Sequence, residues 1–372
     1  MRILVLNYEY PPLGGGAAPV CKHLSRHFAR AGHQVDVVTM AYRDLPSEEV
    51  QDGVRIMRVP ALRKRMETCE TPEMLSYVMS AFPRVTARLM RGQYDVIHCH
   101  FIIPTGLLAW SATRLGRTPY VITAHGSDVP GFNPERFTKE HHITGPLLRT
   151  IARGAASVVA PSEFLRGLIR ESIGAGDVEL VPNGIDVDSL GFGSKKRHLL
   201  MTGRLLKRKG FQHVLEALEG VDTDFEIHIA GDGPLRAELE AMAAKIPAKV
   251  VFHGWLENGS REIGELYESA AIFCLPSQRE NASIALLEGM LSGAAVITSN
   301  DTGCAETIGD AGLTVVHGDV PALRQALLPL MRSEALCAEY GAKARQRVLD
   351  CYSWDRISAR YLELLERAAG GS

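Results

Sequence analysis

Residues 271–299 read AIFCLPSQRENASIALLEGMLSGAAVITS. The stretch opens on one apolar run, AIFCLP at 271–276, and closes on another, AAVITS at 294–299. Between them, Asn281 and Ser283 are helix-start residues, and the small apolar segment that follows has the composition of a buried helix. A strand, a loop, a helix and a second strand in so short a span imply two parallel neighbours joined by a crossover. Glu280 and Glu288 lie eight residues apart within it. On a continuous helix that spacing is a little over two turns, which brings the two carboxylates near one face. A helix start that follows a strand is a ready anion site, because its free backbone N–H groups point outward. Two carboxylates beside a ring of amide donors suit a ligand with sugar hydroxyls and phosphates.

The same rhythm extends along the whole chain. RILVLN (2–7), QVDVVTM (34–40), VRIMRV (54–59), DVIHCH (95–100), YVITAH (120–125) and SVVA (157–160) read as strands, with helical patterns such as Val20–Ala31 and Glu73–Arg91 between them. After VELVPNGIDVDSL the pattern restarts with HLLMTG (198–203), FEIHIAG (225–231), KVVFHG (249–254), the two runs already quoted, and LTVV (313–316). Near-continuous apolar strands separated by helices mean parallel sheets covered on both faces. The predicted fold class is α/β, with two doubly wound domains facing across a cleft. The Pro, Asn and Gly cluster at Pro182–Gly193 marks the boundary, which gives domains 1–182 and 183–352. The closing CYSWDRISARYLELLERA is amphipathic and predicts a helix, within about 353–372, that docks on a domain surface.

At 372 residues the chain is too long for one ordinary core. A net charge of -2 argues against a dedicated nucleic-acid binder. Residues 1–180 carry 21 Lys+Arg against 17 Asp+Glu, whereas 181–372 carry 20 against 26. The mildly basic first half fits an anionic lipid or acidic acceptor, and ordinary surface variation explains the excess as well. Seven scattered cysteines without a CxxC pair read as buried reduced thiols. The apolar run at the N-terminus breaks at Asn7, too early for a secretion signal, and no segment reaches the length of a membrane span. The expected location is cytoplasmic, or the cytoplasmic face of a membrane.

Candidate chemistry gathers at strand ends. The first strand runs into Gly14-Gly15-Gly16-Ala17-Ala18, where missing side chains let a backbone approach a phosphate. Pro19 breaks the dinucleotide fingerprint there, so the loop reads equally as a tight turn. His98, His100 and His125 lie at the ends of HCH and AHGSD; each alone is more often structural than catalytic, and no third metal ligand accompanies the first two at a plausible spacing. Arg204 and Lys209 follow the strand HLLMTG, and cations so placed can clamp a diphosphate, although most basic loops are only solvated.

The glycine loop, HGSD at 125–128, PNGID at 182–186, TGRLLKRKG at 202–210, AGDGPL at 230–235 and the Glu280–Glu288 pair occur in one order over nearly the whole chain. Together they resemble the glycosyltransferase B fold, built of two Rossmann-like domains, and within it the retaining family 4 of sugar-nucleotide glycosyltransferases. The closing YSWDRIS is similar to that family's C-terminal helix, which crosses back to the N-terminal domain. The resemblance implies that Arg204 and Lys209 bind the donor diphosphate, that Glu288 holds the ribose and that Glu280 contacts the transferred sugar. It also implies that backbone amides from Asn281, Ala282, Ser283 and Ile284 meet sugar or phosphate oxygens. His125 would contact sugar hydroxyls, and the loop of Gly15 and Gly16 would approach the β-phosphate.

Two departures stand out. Asn281-Ala282-Ser283 replaces the family's more usual Gly-Phe-Gly, and TGCAET (302–307) keeps only Gly303 and Glu306 of a Gly-Gly-x-x-Glu pattern. DVD at 186–188 follows PNGI in a connecting loop and is not read as the DxD motif of the metal-dependent transferases, so neither a cofactor nor a metal is expected. The implied chemistry is front-face return with retention: the acceptor hydroxyl passes its proton to the departing phosphate. A sugar-nucleotide epimerase of the same architecture and a non-catalytic sugar-nucleotide sensor are the competing readings. The expected acceptor is a sugar, a lipid-linked glycan precursor or a small molecule. The 60–91 stretch, with Arg63, Lys64, Arg65, Arg84, Arg88 and Arg91 beside apolar residues, is a candidate for peripheral membrane contact and equally an ordinary solvated helix.

Overall fold

In the computed structural model, residues 1–66, 68–132 and 138–371 are described. Glu67 in the 60–91 stretch and Ser372 at the chain end lie outside these residues. The chain divides into two compact units, Met1–Pro182 with Trp354–Ser372, and Asn183–Ser353.

The first unit is built on an eight-stranded sheet: β1 (Arg2–Leu6), β2 (Gln34–Met40), β3 (Glu48–Gln51), β4 (Val54–Val59), β5 (Val96–His100), β6 (Tyr120–Thr123), β7 (Ser157–Ala160) and β8 (Val178–Leu180). They are ordered β3-β4-β2-β1-β5-β6-β7-β8. Every pairing is parallel except β3 with β4, which is antiparallel at the edge. The strand order reverses between β1 and β5, and the loops after those two strands flank the switch point where open α/β sheets bind ligands.

The second unit holds β9 (Lys196–Thr202), β10 (Glu226–Ala230), β11 (Val250–Gly254), β12 (Ala270–Leu275), β13 (Ala295–Ser299) and β14 (Leu313–Val315). Its order, β11-β10-β9-β12-β13-β14, is all parallel and is that of a dinucleotide-binding sheet. Here the switch point lies between β9 and β12. Side chains alternate across the sheet: Leu199, Met201, Ile272 and Cys274 enter one core, whereas Leu200, Phe273 and Leu275 enter the other. Burial on both faces explains why these strands read as unbroken apolar runs.

The structure refines the element boundaries. The first helix spans Ala17–Arg30, not Val20–Ala31, and the second spans Thr71–Met90, with Glu70 and Glu73 forming a reciprocal capping box. β3 and β8 carry the sequences EEVQ and VEL, too short and too polar to stand out as apolar runs. The closing helix, Trp354–Gly370, packs on the Ala17–Arg30 helix of the first unit. There Trp354 stacks on His23 with ring centroids 5.2 Å apart, His27 Nε2 lies 3.3 Å from an Asp355 carboxylate oxygen, and the Tyr361 hydroxyl lies 3.2 Å from Thr123 Oγ1. Six of the seven cysteines are buried as thiols, and Cys351 is exposed.

Candidate active site at the carboxyl end of the second sheet

One side chain sets the frame of the 271–299 stretch. Ser283 Oγ accepts a hydrogen bond from Leu286 N and caps the Ile284–Leu291 helix. Glu280 therefore belongs to the loop after β12, and only Glu288 lies on the helix. This is the division that the helix-start residues Asn281 and Ser283 imply, with Glu280 before them and Glu288 in the run that follows.

The loop is tethered from several sides. Gln278 N donates to Arg208 O at 2.7 Å, Gly303 N donates to Glu280 O at 3.0 Å, and Asn183 Nδ2 donates to Ala282 O at 2.7 Å. Cys304 Sγ lies 3.5 Å from Asn281 O. The PNGID and TGCAET segments thus serve the loop as anchors, through Asn183 and Gly303. Sequence spacing gave no sign of this. The first-turn amides of Ile284 and Ala285 have no acceptor within the helix, as in any helix start.

Lys209 lies in the short 3-10 turn Lys207–Lys209 that follows β9, and its Nζ forms an ion pair with Glu280 Oε1. Both side chains are largely buried. Arg204 is exposed, and its side chain has no hydrogen-bond or ion-pair partner among the described residues. The two cations assigned together from the sequence therefore differ: one is committed to a carboxylate and the other is unengaged.

Close backbone approach holds the loops together. Gly231, at φ +147°, would place a Cβ 1.9 Å from Gly203 O, and Gly210, at φ +78°, would place one 2.4 Å from Pro276 O. Only glycine permits these contacts.

Glu288 is held mostly inside the protein. Burial raises its carboxyl pKa to about 7, and a hydrogen bond with Tyr267 pulls against that rise. The Tyr267 hydroxyl also lies 2.9 Å from Thr202 Oγ1, which closes a chain from β9 to the helix that carries Glu288. Tyr267 went unmarked in the sequence, since nothing in REIGELYES separates it from an ordinary core aromatic.

In the first unit, the His125 Nε2 and His100 Nδ1 atoms are 3.0 Å apart, and His98 Nε2 is 2.9 Å from Thr123 Oγ1. Burial lowers His98 and His125 to about 3 and drives His100 well down, so all three imidazoles are neutral near pH 7. Asp128 receives the His125 and Gly126 amides on one oxygen and the Ile102 amide on the other, fastening the loops after β5 and β6. Beside His125, Phe101 adopts φ +80°, a left-handed strain of about 1–2 kcal/mol that the Thr105 hydroxyl helps hold.

In the glycine loop, Gly14 at φ +101° sits against Glu9, and Gly15 N donates to Glu9 Oε2 at 3.2 Å. A Cβ at Gly15 or Gly16 would meet nothing within 4 Å. The fold accounts for the first glycine and leaves open space at the next two.

Residues 14–189 match the family model Glycosyltransferase Family 4, and residues 184–347 match Glycosyl transferases group 1. The chain is 28% identical to a phosphatidyl-myo-inositol mannosyltransferase of Mycobacterium leprae, over 99% of this chain and 97% of that protein. Among solved structures it is similar to a sucrose-phosphate synthase from Thermosynechococcus elongatus, with a TM-score of 0.84 at 19% identity over the full length of both chains. It is also similar to Anabaena HepE in complex with UDP and glucose, with a TM-score of 0.75 at 16% identity, covering 99% of this chain and 100% of that one. At such identities the structural likenesses establish the fold, the two-domain GT-B architecture.

Proposed function

We propose that the chain is a glycosyltransferase of the family 4 type that moves a hexose-type sugar from a nucleoside-diphosphate donor to an acceptor hydroxyl with retention and without a metal. The observation that carries this reading is the grouping of Arg204, the Lys209–Glu280 pair and Glu288 around the switch point of the second sheet. Arg204, exposed and with no side-chain partner among the described residues, supplies positive charge for the departing diphosphate together with the amides at the start of the Ile284–Leu291 helix. Glu288 takes the ribose hydroxyls, so its carboxylate exchanges the Tyr267 hydroxyl for ligand donors. Glu280 meets the sugar that moves, and Lys209 holds it in place and adds charge beside the leaving group.

In the transfer step the bond from the anomeric carbon to the phosphate oxygen breaks as the acceptor oxygen bonds on the same face. The acceptor's proton passes to the leaving phosphate, which acts as its own base. The first unit contributes His125 for sugar hydroxyls and Gly15 and Gly16 for the phosphate, on the strength of the family resemblance. A lipid-linked acceptor is supported by the exposed Leu62, Leu75 and Met79, which lie in the arginine-bearing 60–91 stretch.

A thermal-shift screen against nucleotide sugars tests the donor. A cognate donor at 100 times its dissociation constant stabilises by about 2.7 kcal/mol, whereas uniform silence across uridine, guanosine and adenosine donors sinks the reading. Product stereochemistry by NMR tests retention, and unchanged turnover in excess EDTA tests metal independence.

A further inference from the structure

Far from the Arg204–Glu280–Glu288 group, the second sheet carries a cluster that the transfer reaction does not use. His198 on β9 pairs in register with Glu226 on β10, and His228 lies two residues further along β10. All three side chains therefore project from one face. One ligand atom from each lies within 4.8 Å of the others. His228 Nε2 is buried without a hydrogen-bond partner among the described residues and stands 3.5 Å from Glu226 Oε2. Two ligands on a tetrahedral zinc ion, each about 2.0–2.1 Å from the metal, are about 3.3 Å apart, so this gap is that of a coordination edge.

Behind His228, its Nδ1 lies 2.9 Å from His253 Nε2, the contact that fixes the tautomer and ring plane of a metal-binding histidine. Ser269 Oγ lies 3.4 Å from His198 Nδ1, and Lys249 Nζ lies 3.1 Å from the other Glu226 oxygen. A cavity of about 410 Å3 beside the cluster is lined by His198, His253, Ser269, Glu262 and Glu265 among others.

We propose that His198, Glu226 and His228 form a binding site for a divalent transition metal of the zinc class, with His253 as the residue that orients His228. His198 is four residues from Thr202, about 13 Å along the strand, so the ion takes no part in sugar transfer. Its role is to tie β9 and β10 together at the end of the sheet opposite the donor loops.

The full chain, stripped with EDTA and dialysed, is titrated with Zn2+ by calorimetry and with Co2+ by visible absorption. One equivalent of Zn2+ is expected, with a Co2+ spectrum of a four- or five-coordinate nitrogen–oxygen site. His228→Asn and Glu226→Gln should each abolish that spectrum, and His253→Ala should weaken binding about tenfold. Glu226→Gln keeps the shape of the side chain, so an unchanged metal-free melting curve separates loss of a ligand from loss of the fold. Absence of binding, or binding unmoved by Glu226→Gln and His228→Asn together, overturns the site.

Discussion

Glu288 and the Lys209–Glu280 pair behave differently as buried groups, and each makes a prediction. The folded-state pKa of Glu288 is raised to about 7, so between about 4.5 and 7 the folded chain holds a proton that the unfolded chain has released. This group therefore lowers stability as pH rises through that window. Glu288→Gln should remove that slope and leave the variant more stable relative to the parent at pH 8 than at pH 5, as measured by denaturant unfolding. The same variant should bind the donor nucleotide at least about tenfold more weakly, an expectation of a lost charged hydrogen bond. Lys209→Ala strands the Glu280 carboxylate in a mostly buried position, and a loss of about 2 kcal/mol is expected, short of the ~3–5 of a fully buried pair. Lys209→Met with Glu280→Gln should recover most of that stability and none of the turnover. The two glutamates were legible in the sequence because both lie in one segment. Their partners were not: Lys209 is 71 residues from Glu280, and Asn183 is 99 residues from Ala282. Only the winding of the sheet brings them together.

At the scale of elements, strands buried on both faces announce themselves and edges do not. β12 and β13 could be read from AIFCLP and AAVITS, whereas β3 is a polar, acidic antiparallel edge, and exposed edges are often charged. Glycine loops divide in the same way. Gly231→Ala forces a Cβ onto Gly203 O at a left-handed φ and should cost several kcal/mol, which a thermal melt would report as severe destabilisation or failure to fold. Gly16→Ala, with an αR backbone and open space around the new methyl, should leave stability unchanged or raise it by up to ~1 kcal/mol while lowering turnover. On the Thr71–Met90 helix, Leu75 and Met79 are 57% and 70% exposed in a basic stretch, although Tyr77, Ala81, Val85 and Leu89 suffice for its core face. Leu75→Ser with Met79→Ser should therefore reduce sedimentation with anionic liposomes at low salt without altering the melting temperature. Equal sedimentation of parent and variant would remove the membrane contact.

At the scale of the whole molecule, the chain leaves its first unit at Pro182 and re-enters it at Trp354. The amphipathic pattern of the last segment predicted a docked helix, but which surface received it came only from family resemblance, because periodicity names a face and not a partner. Trp354, Ile357, Tyr361 and Leu365 are all buried in that docking. At about 1.5–3 kcal/mol for each such side chain, truncation after Ser353 removes about 6–12 kcal/mol, comparable to the whole stability margin of an ordinary domain. Hydrogen exchange on the truncated chain should show protection lost in β1, β5 and β6 while β9 to β14 stay protected.

The tethering of residues 276–283 has a consequence for how such an enzyme diversifies. Most of the ties end on main-chain carbonyls, those of Pro276, Glu280, Asn281 and Ala282, so the loop's path is set by atoms that every amino acid possesses. The side chains at 281, 282 and 283 then sit on a fixed mount, to which the capping hydroxyl of Ser283 contributes. On the proposed reading of this loop, substitutions there would alter which sugar is accepted while the main-chain ties persist.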